Sequence, residues 1–119
     1  MKSYRDLVVW QKGMELVERV YAVTDSFPRA EQFGLINQMR RAAVSIVSNI
    51  AEGSCRGSRK DFRQFAIMAL GSGAELETQL ELSKRLSFGK DQHYTEISQL
   101  LDEVMRMLNS LIRKLATSH

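Results

Sequence analysis

YTEISQLLDEVMRMLNSLIRKL, residues 94–115, sets apolar side chains at Tyr94, Ile97, Leu101, Val104, Leu108, Leu111 and Leu115. The steps alternate strictly between three and four residues, which keeps one face of an α-helix apolar along its whole length. A heptad seam this long must be covered by other long helices, and so the fold class is all-α. Asp91 is placed to cap the start of this helix, and Phe88-Gly89 closes the element before it.

Upstream, a third helix is expected over about residues 59–86, carrying Phe62, Phe65, Ala69, Leu76 and Leu80. Gly71-Ser72-Gly73-Ala74 interrupts its apolar pattern, and each mid-helix glycine costs ~1 kcal/mol relative to alanine. The preferred reading is close contact with the neighbouring helix near Arg40 to Ala43; a local kink is the alternative. The second helix is expected from Ala30 to Ala51, with Leu35, Met39, Ala42, Ile46 and Asn49 on one stripe and Ile36, Ala43, Val47 and Ile50 beside it. Gly53 reads as its C-terminal stop, Ser54 to Gly57 as a tight turn, and Ser58 with Asp61 as a variant capping box.

The first helix, Leu7 to Thr24, has two apolar stripes: Leu7, Trp10, Met14, Val17 and Tyr21, then Val9, Gly13, Leu16, Val20 and Val23. That is more apolar surface than a bundle needs to bury inward, and a face left over favours association between copies. Ser26-Phe27-Pro28 ends the helix. Four helices with short connections in a single domain spanning residues 1–119 predict an antiparallel up-down-up-down four-helix bundle.

The apolar run after the N-terminus stops at Trp10, too short for a secretory segment or a membrane span, and the lone Cys55 cannot form an internal disulfide. A cytoplasmic protein with no membrane association is expected. Residues 40–63 hold six basic side chains against Glu52 and Asp61, a local charge of +4, while the chain from Gln64 onward is nearly balanced. Any attraction for an anion is therefore localised.

Catalytic chemistry finds little support. A di-iron bundle needs Glu-x-x-His pairs, and the two histidines, His93 and His119, do not follow a glutamate at that spacing. No metal or cofactor is expected. Gly53-x-x-x-Gly57 lacks the Lys-Ser/Thr of a phosphate loop, and no carboxylate pair is set for acid–base work. Cys55 is the one nucleophile candidate, since the start of the third helix and Arg56, Arg59 and Lys60 can lower its pKa, but it reads as an incidental turn residue. The helices are also too long for a helix-turn-helix reading of residues 50–62. A non-enzymatic protein is the expectation.

What remains is the turn. Arg56, Arg59, Lys60 and Arg63 surround a helix N-terminus, where free amides also favour anions. Phosphate contact and an ordinary solvated turn both fit. Arg41 joins them as a weaker candidate, since it and Arg40 fall near Glu75 and can pair there. Asn49, Glu52, Ser72 and Glu75, with Ser45, lie on or beside the apolar seams and are expected to form a polar network that fixes helix register.

Phe33-Gly34-Leu35-x-x-Gln38-x-Arg40-Arg41-Ala42-Ala43-x-Ser45-Ile46-x-x-Asn49-Ile50-Ala51-Glu52-Gly53, followed by Gly71-Ser72-x-x-Glu75, resembles the four-helix bundle proteins of the 23S rRNA-intervening-sequence family. The likeness includes Leu7-x-x-Trp10 and so spans nearly the whole chain. A similar bundle, the accessory variability protein of diversity-generating retroelements, forms a five-membered ring and binds nucleic acid with a reverse transcriptase. The resemblance thus implies a homo-oligomer, a pentamer by that analogy, and RNA or DNA as partner. Five copies at +3 each would carry about +15. The alternative is a scaffold whose apolar surface receives a partner protein, the basic turn being incidental.

Overall fold

Apolar periodicity of this kind folds into rods. The computed structural model describes residues 3–116, apart from the side chain of Asp91, and these form four α-helices: α1 (Val8–Thr24), α2 (Asn37–Ser54), α3 (Arg59–Arg85) and α4 (Asp91–Ala116). A single 3-10 turn, Tyr4–Asp6, precedes α1, with the Ser3 hydroxyl accepting from the Arg5 amide. No strand occurs among the described residues. The bundle measures 50 × 23 × 21 Å.

Contacts between the helices fix their directions. Lys12 and Arg19 of α1 pair with Glu103 and Glu96 of α4, so positions rise along one helix as they fall along the other. Ser45 of α2 meets Ser72 of α3, and Gly53 meets Phe62 and Phe65; Gly73 of α3 meets Met105 of α4, and Ser83 meets Tyr94. Each neighbour is therefore antiparallel, and α1 and α3 occupy diagonal corners between α2 and α4. Leu16, Met39, Ile46, Ile50, Leu76, Ile97, Leu101 and Leu108 fill the interior without exposure beyond 2%.

Of the two α1 stripes, Val9, Gly13, Leu16, Val20 and Val23 face the core. The other stripe divides: Leu7, Trp10 and Val17 are half-buried against the core, and Met14 and Tyr21 are exposed. The diagonal helix exposes Ile67 and Met68 together and Leu82 about 21 Å further along.

Three local expectations are corrected. The second helix begins at Asn37 rather than Ala30, because Gly34 adopts φ −109° and ψ −112°, and residues 29–36 form a short 3-10 turn followed by a π-type turn. Gly53 is not a C-terminal stop: α2 continues to Ser54, and a Cβ at Gly53 would lie 2.6 Å from the Phe65 Cβ. Its lack of a side chain lets α3 approach. Finally, α3 runs without interruption through Gly71 to Ala74, and the close approach at Gly73 is made by Met105 of α4, whereas Gly71 faces open space.

Two polar clusters lock the far end of the bundle, where α1 ends and α4 begins. Arg40 donates to the Thr24 hydroxyl at 2.9 Å and the Tyr21 carbonyl at 3.3 Å, pairs with Asp25 at 2.9 Å, and stacks on the Tyr21 ring. It thus satisfies the C-terminal turn of α1 and turns away from Glu75. The buried Tyr94 hydroxyl donates to the Phe88 carbonyl and lies 3.0 Å from the Ser83 hydroxyl, tying the α3–α4 connection.

Candidate nucleic-acid interface

The α2–α3 turn is built by its termini. Cys55 ends α2 in right-handed geometry, Gly57 supplies the positive φ of +88° that reverses the chain, and the Ser58 hydroxyl accepts from the Asp61 amide at 3.1 Å to start α3. This cap is the one read from the sequence. The reversal projects Arg56, Arg59 and Lys60 from the end of the bundle, all exposed, with Arg63 half-buried one turn further on.

Their engagements differ. Arg56 pairs with Glu52 at 2.9 Å and lies 4.9 Å above the Phe65 ring. Arg59 donates to the Lys114 carbonyl, and Arg63 donates through Nε to the Ile112 carbonyl at 3.2 Å. Both arginines therefore tie α3 to the last described turns of α4, where carbonyls attract cations. Lys60 points into solvent.

Antiparallel packing brings further charge to the same end. Arg113 is exposed and Lys114 adjoins Arg59, while the Tyr4–Asp6 turn with Arg5 packs against α2. Among the described residues, the segments at this end carry Arg5, Arg56, Arg59, Lys60, Arg63, Arg113 and Lys114 against Asp6, Glu52 and Asp61. Sequence reasoning missed Arg113 and Lys114 because they lie some fifty residues from the turn; the antiparallel topology is the signal that places them beside it. Toward the other end three arginines are paired, Arg40 with Asp25, Arg19 with Glu96 and Arg85 with Glu81. Arg85 holds the Glu81 carboxyl below its ordinary value by hydrogen bond and charge.

Arg41 is not part of the basic end. It lies fifteen positions before Arg56 on α2, about 22 Å at 1.5 Å per residue. It forms an exposed ridge between two clefts, one with Phe33, Ser45 and Glu75, the other with Tyr21 and Val44. The expected polar network divides as well. Asn49 donates to the Ser45 hydroxyl at 3.1 Å, and Ser45 meets Ser72 at 2.9 Å, whereas Glu52 belongs to Arg56 and Glu75 accepts from Gln79 at 3.4 Å.

No group of three or more His, Cys, Asp or Glu among the described residues could hold a metal ion. His93 is half-buried in the first turn of α4, and His119 lies outside the described residues. The cleft between α3 and α4, about 410 Å³, is lined by Glu77, Glu81, Lys84 and Tyr94, with Arg85 donating to Glu81 Oε2 and the Tyr94 hydroxyl donating to the Phe88 carbonyl. Among the described residues no helix is long and apolar enough to cross a membrane.

Comparison with known proteins agrees with this architecture. A crystal structure of a protein of unknown function from the S23 ribosomal protein family of Bacteroides thetaiotaomicron superposes with a TM-score of 0.81 at 29% identity, covering 88% of this chain and 98% of that one. No curated protein matches. The sequence pattern of the 23S rRNA-intervening sequence proteins matches residues 5–110, nearly the full length of the bundle, and the chain belongs to that family.

Proposed function

We propose that this chain is a non-enzymatic, self-associating bundle that holds RNA by its phosphates at the basic end. The observation that carries the reading is the convergence of the α2–α3 turn and the C-terminal part of α4, which gathers seven basic side chains against three acidic ones. Such a surface grips a phosphate backbone with little interest in base identity. Arg56, Arg59, Lys60 and Arg113 are exposed and would meet the phosphates. Arg63 stands behind them, and Arg41 lies outside the contact.

Self-association is supported by the outward apolar faces of α1 and α3. They occupy opposite sides of the bundle, so a copy can meet one neighbour through each. A ring of copies would repeat the basic end around one rim and multiply its contacts with a single strand. A ring of five is the size suggested by the similarity to accessory variability proteins.

The test is fluorescence anisotropy with single-stranded RNA across a salt titration, comparing the native chain with Lys60→Ala/Arg113→Ala. These two side chains extend into solvent, so their loss leaves the Arg59 and Arg63 ties to α4 in place. Removing two phosphate contacts per copy should flatten the log–log salt slope by about 1.4, at roughly 0.7 per contact for single strands. Absence of binding at low salt, or an unchanged slope in the variant, refutes the reading. The apolar faces would then stand as the main functional surface, in a scaffold for a partner protein.

A further inference from the structure

Arg41 and Glu75 border one cleft between α2 and α3 and yet do not pair. The cleft, about 550 Å³, is bordered by Phe33, Asn37, Gln38, Arg41, Ser45 and Glu75. Among the described residues Arg41 has no carboxylate within 4 Å, and both it and Glu75 are exposed. Opposite charges on one cleft that do not meet leave a fork of donors and a fork of acceptors open to a third group.

Two neighbours narrow what that group can be. Phe33 offers a flat surface: its ring is 88% exposed, yet Gly34 bends the chain beside it, and Leu35 and Ile36 directly after are buried. Gln79, only 6% exposed, donates to Glu75 Oε2 at 3.4 Å, while its own Oε1 is buried with no hydrogen-bond partner among the described residues. So long a bond leaves Glu75 most of its acceptor capacity, and the orphaned oxygen behind it lacks a donor.

A ligand that completes the cleft is flat, with two acceptors for Arg41 and, on the adjoining edge, two donors for Glu75. Among the bases of RNA guanine has this pattern, with O6 and N7 on one edge and N1–H and the N2 amino group on the next; adenine sets its N6 amino group where Arg41 needs an acceptor. The second N2 hydrogen is a donor of the kind Gln79 Oε1 lacks. We propose that the α2–α3 cleft binds a guanine base, stacked on Phe33, with Arg41 donating to O6 and N7 and Glu75 accepting from N1 and N2. A free guanine nucleotide and a single strand of RNA both present that base. Arg41 stands about 22 Å along α2 from Arg56, so the site does not depend on phosphate contact at the basic end.

The experiment has two arms. Calorimetry compares guanosine and adenosine 5′-monophosphates, and anisotropy compares a labelled strand of adenines with the same strand carrying one guanine. The native chain should prefer guanine by about 5- to 150-fold, the worth of one bidentate pair. Preference in the first arm shows that the free nucleotide suffices; preference in the second alone makes the strand the source. Glu75→Gln, which exchanges one acceptor oxygen for a donor, should abolish the preference, and Phe33→Ala should weaken guanine binding by about 5- to 150-fold through lost stacking. Both side chains are exposed, and far-UV circular dichroism checks that the variants keep their helices. Equal affinity for guanine and adenine in both arms, no binding in either, or a preference that survives Glu75→Gln overturns the proposal. Salt-dependent RNA binding that Lys60→Ala/Arg113→Ala flattens, without guanine preference, leaves the basic end standing and sinks the cleft alone.

Discussion

Gly53→Ala tests whether the close packing of α2 on α3 depends on the missing side chain. The added Cβ would lie 2.6 Å from the Phe65 Cβ, 3.0 Å from the Phe62 Cδ1 and 3.4 Å from the Phe62 carbonyl oxygen. Phe65 Cβ is one bond from the α3 backbone and cannot swing aside, so the helices themselves must separate. Overpacking of this kind costs about 1–3 kcal/mol. Against it stands the helix propensity gain of alanine, at most about 1 kcal/mol and smaller in the last turn of α2. The net expectation is a loss of about 1–2 kcal/mol, or roughly 4–8 °C in Tm for a chain of this size. Gly71→Ala is the internal control: nothing lies within 4 Å of its Cβ, so it should gain up to about 1 kcal/mol. Gly73→Ala falls between them, because the obstructing atom, Met105 Sδ, belongs to a flexible side chain. Urea and thermal unfolding at one fixed protein concentration read all three. A Gly53→Ala chain as stable as Gly71→Ala would refute the packing argument.

Two further substitutions separate the polar locks at the far end. Tyr94→Phe removes the hydroxyl that reaches the Phe88 carbonyl and Ser83 inside a buried site, and should cost about 1–2 kcal/mol in urea unfolding; a neutral result would mean the connection is held by packing. Arg40→Lys should destabilise almost as much as Arg40→Ala, about 1–2 kcal/mol, because an ammonium cannot reproduce the fork onto Thr24 and Asp25 together with the stack on Tyr21. Full stability in the lysine variant would show that charge alone suffices there.

Legibility in the sequence tracked how local each determinant is. The α4 seam reads cleanly because most of its apolar positions, from Tyr94 to Leu108, face one core, and periodicity reports burial directly. Ser58 was equally plain, since a cap acts within three residues. The start of α2 was misread because Leu35 and Ile36 are buried and continue the helical spacing, while the bend that separates them from the preceding turn resides in the backbone angles of Gly34. Glycine carries several meanings. Gly53 and Gly73 are both sites of close approach, Gly57 is a left-handed turn and Gly71 is open, and only the facing helix distinguishes the first two from the last.

The basic end illustrates the same limit for function, and it also changes how the turn must be read. Arg59 and Arg63 looked interchangeable with Arg56 and Lys60 as phosphate contacts, yet they also hold α4 through its carbonyls. These duties need not compete. A guanidinium has five N–H donors, and one bond to a carbonyl leaves the others available to an anion. Their positive charge is placed by folding itself: the arginines are oriented by α4 before any ligand arrives, so less side-chain freedom is lost on binding. Arg56 is likewise held, by Glu52 and the Phe65 ring, while Lys60 retains its full freedom. On the proposed reading, the three arginines supply a fixed electrostatic floor and Lys60 an adaptable contact. Lys60 must give up more side-chain freedom on binding, so Lys60→Ala should weaken RNA binding less than Arg56→Ala in the same anisotropy titration.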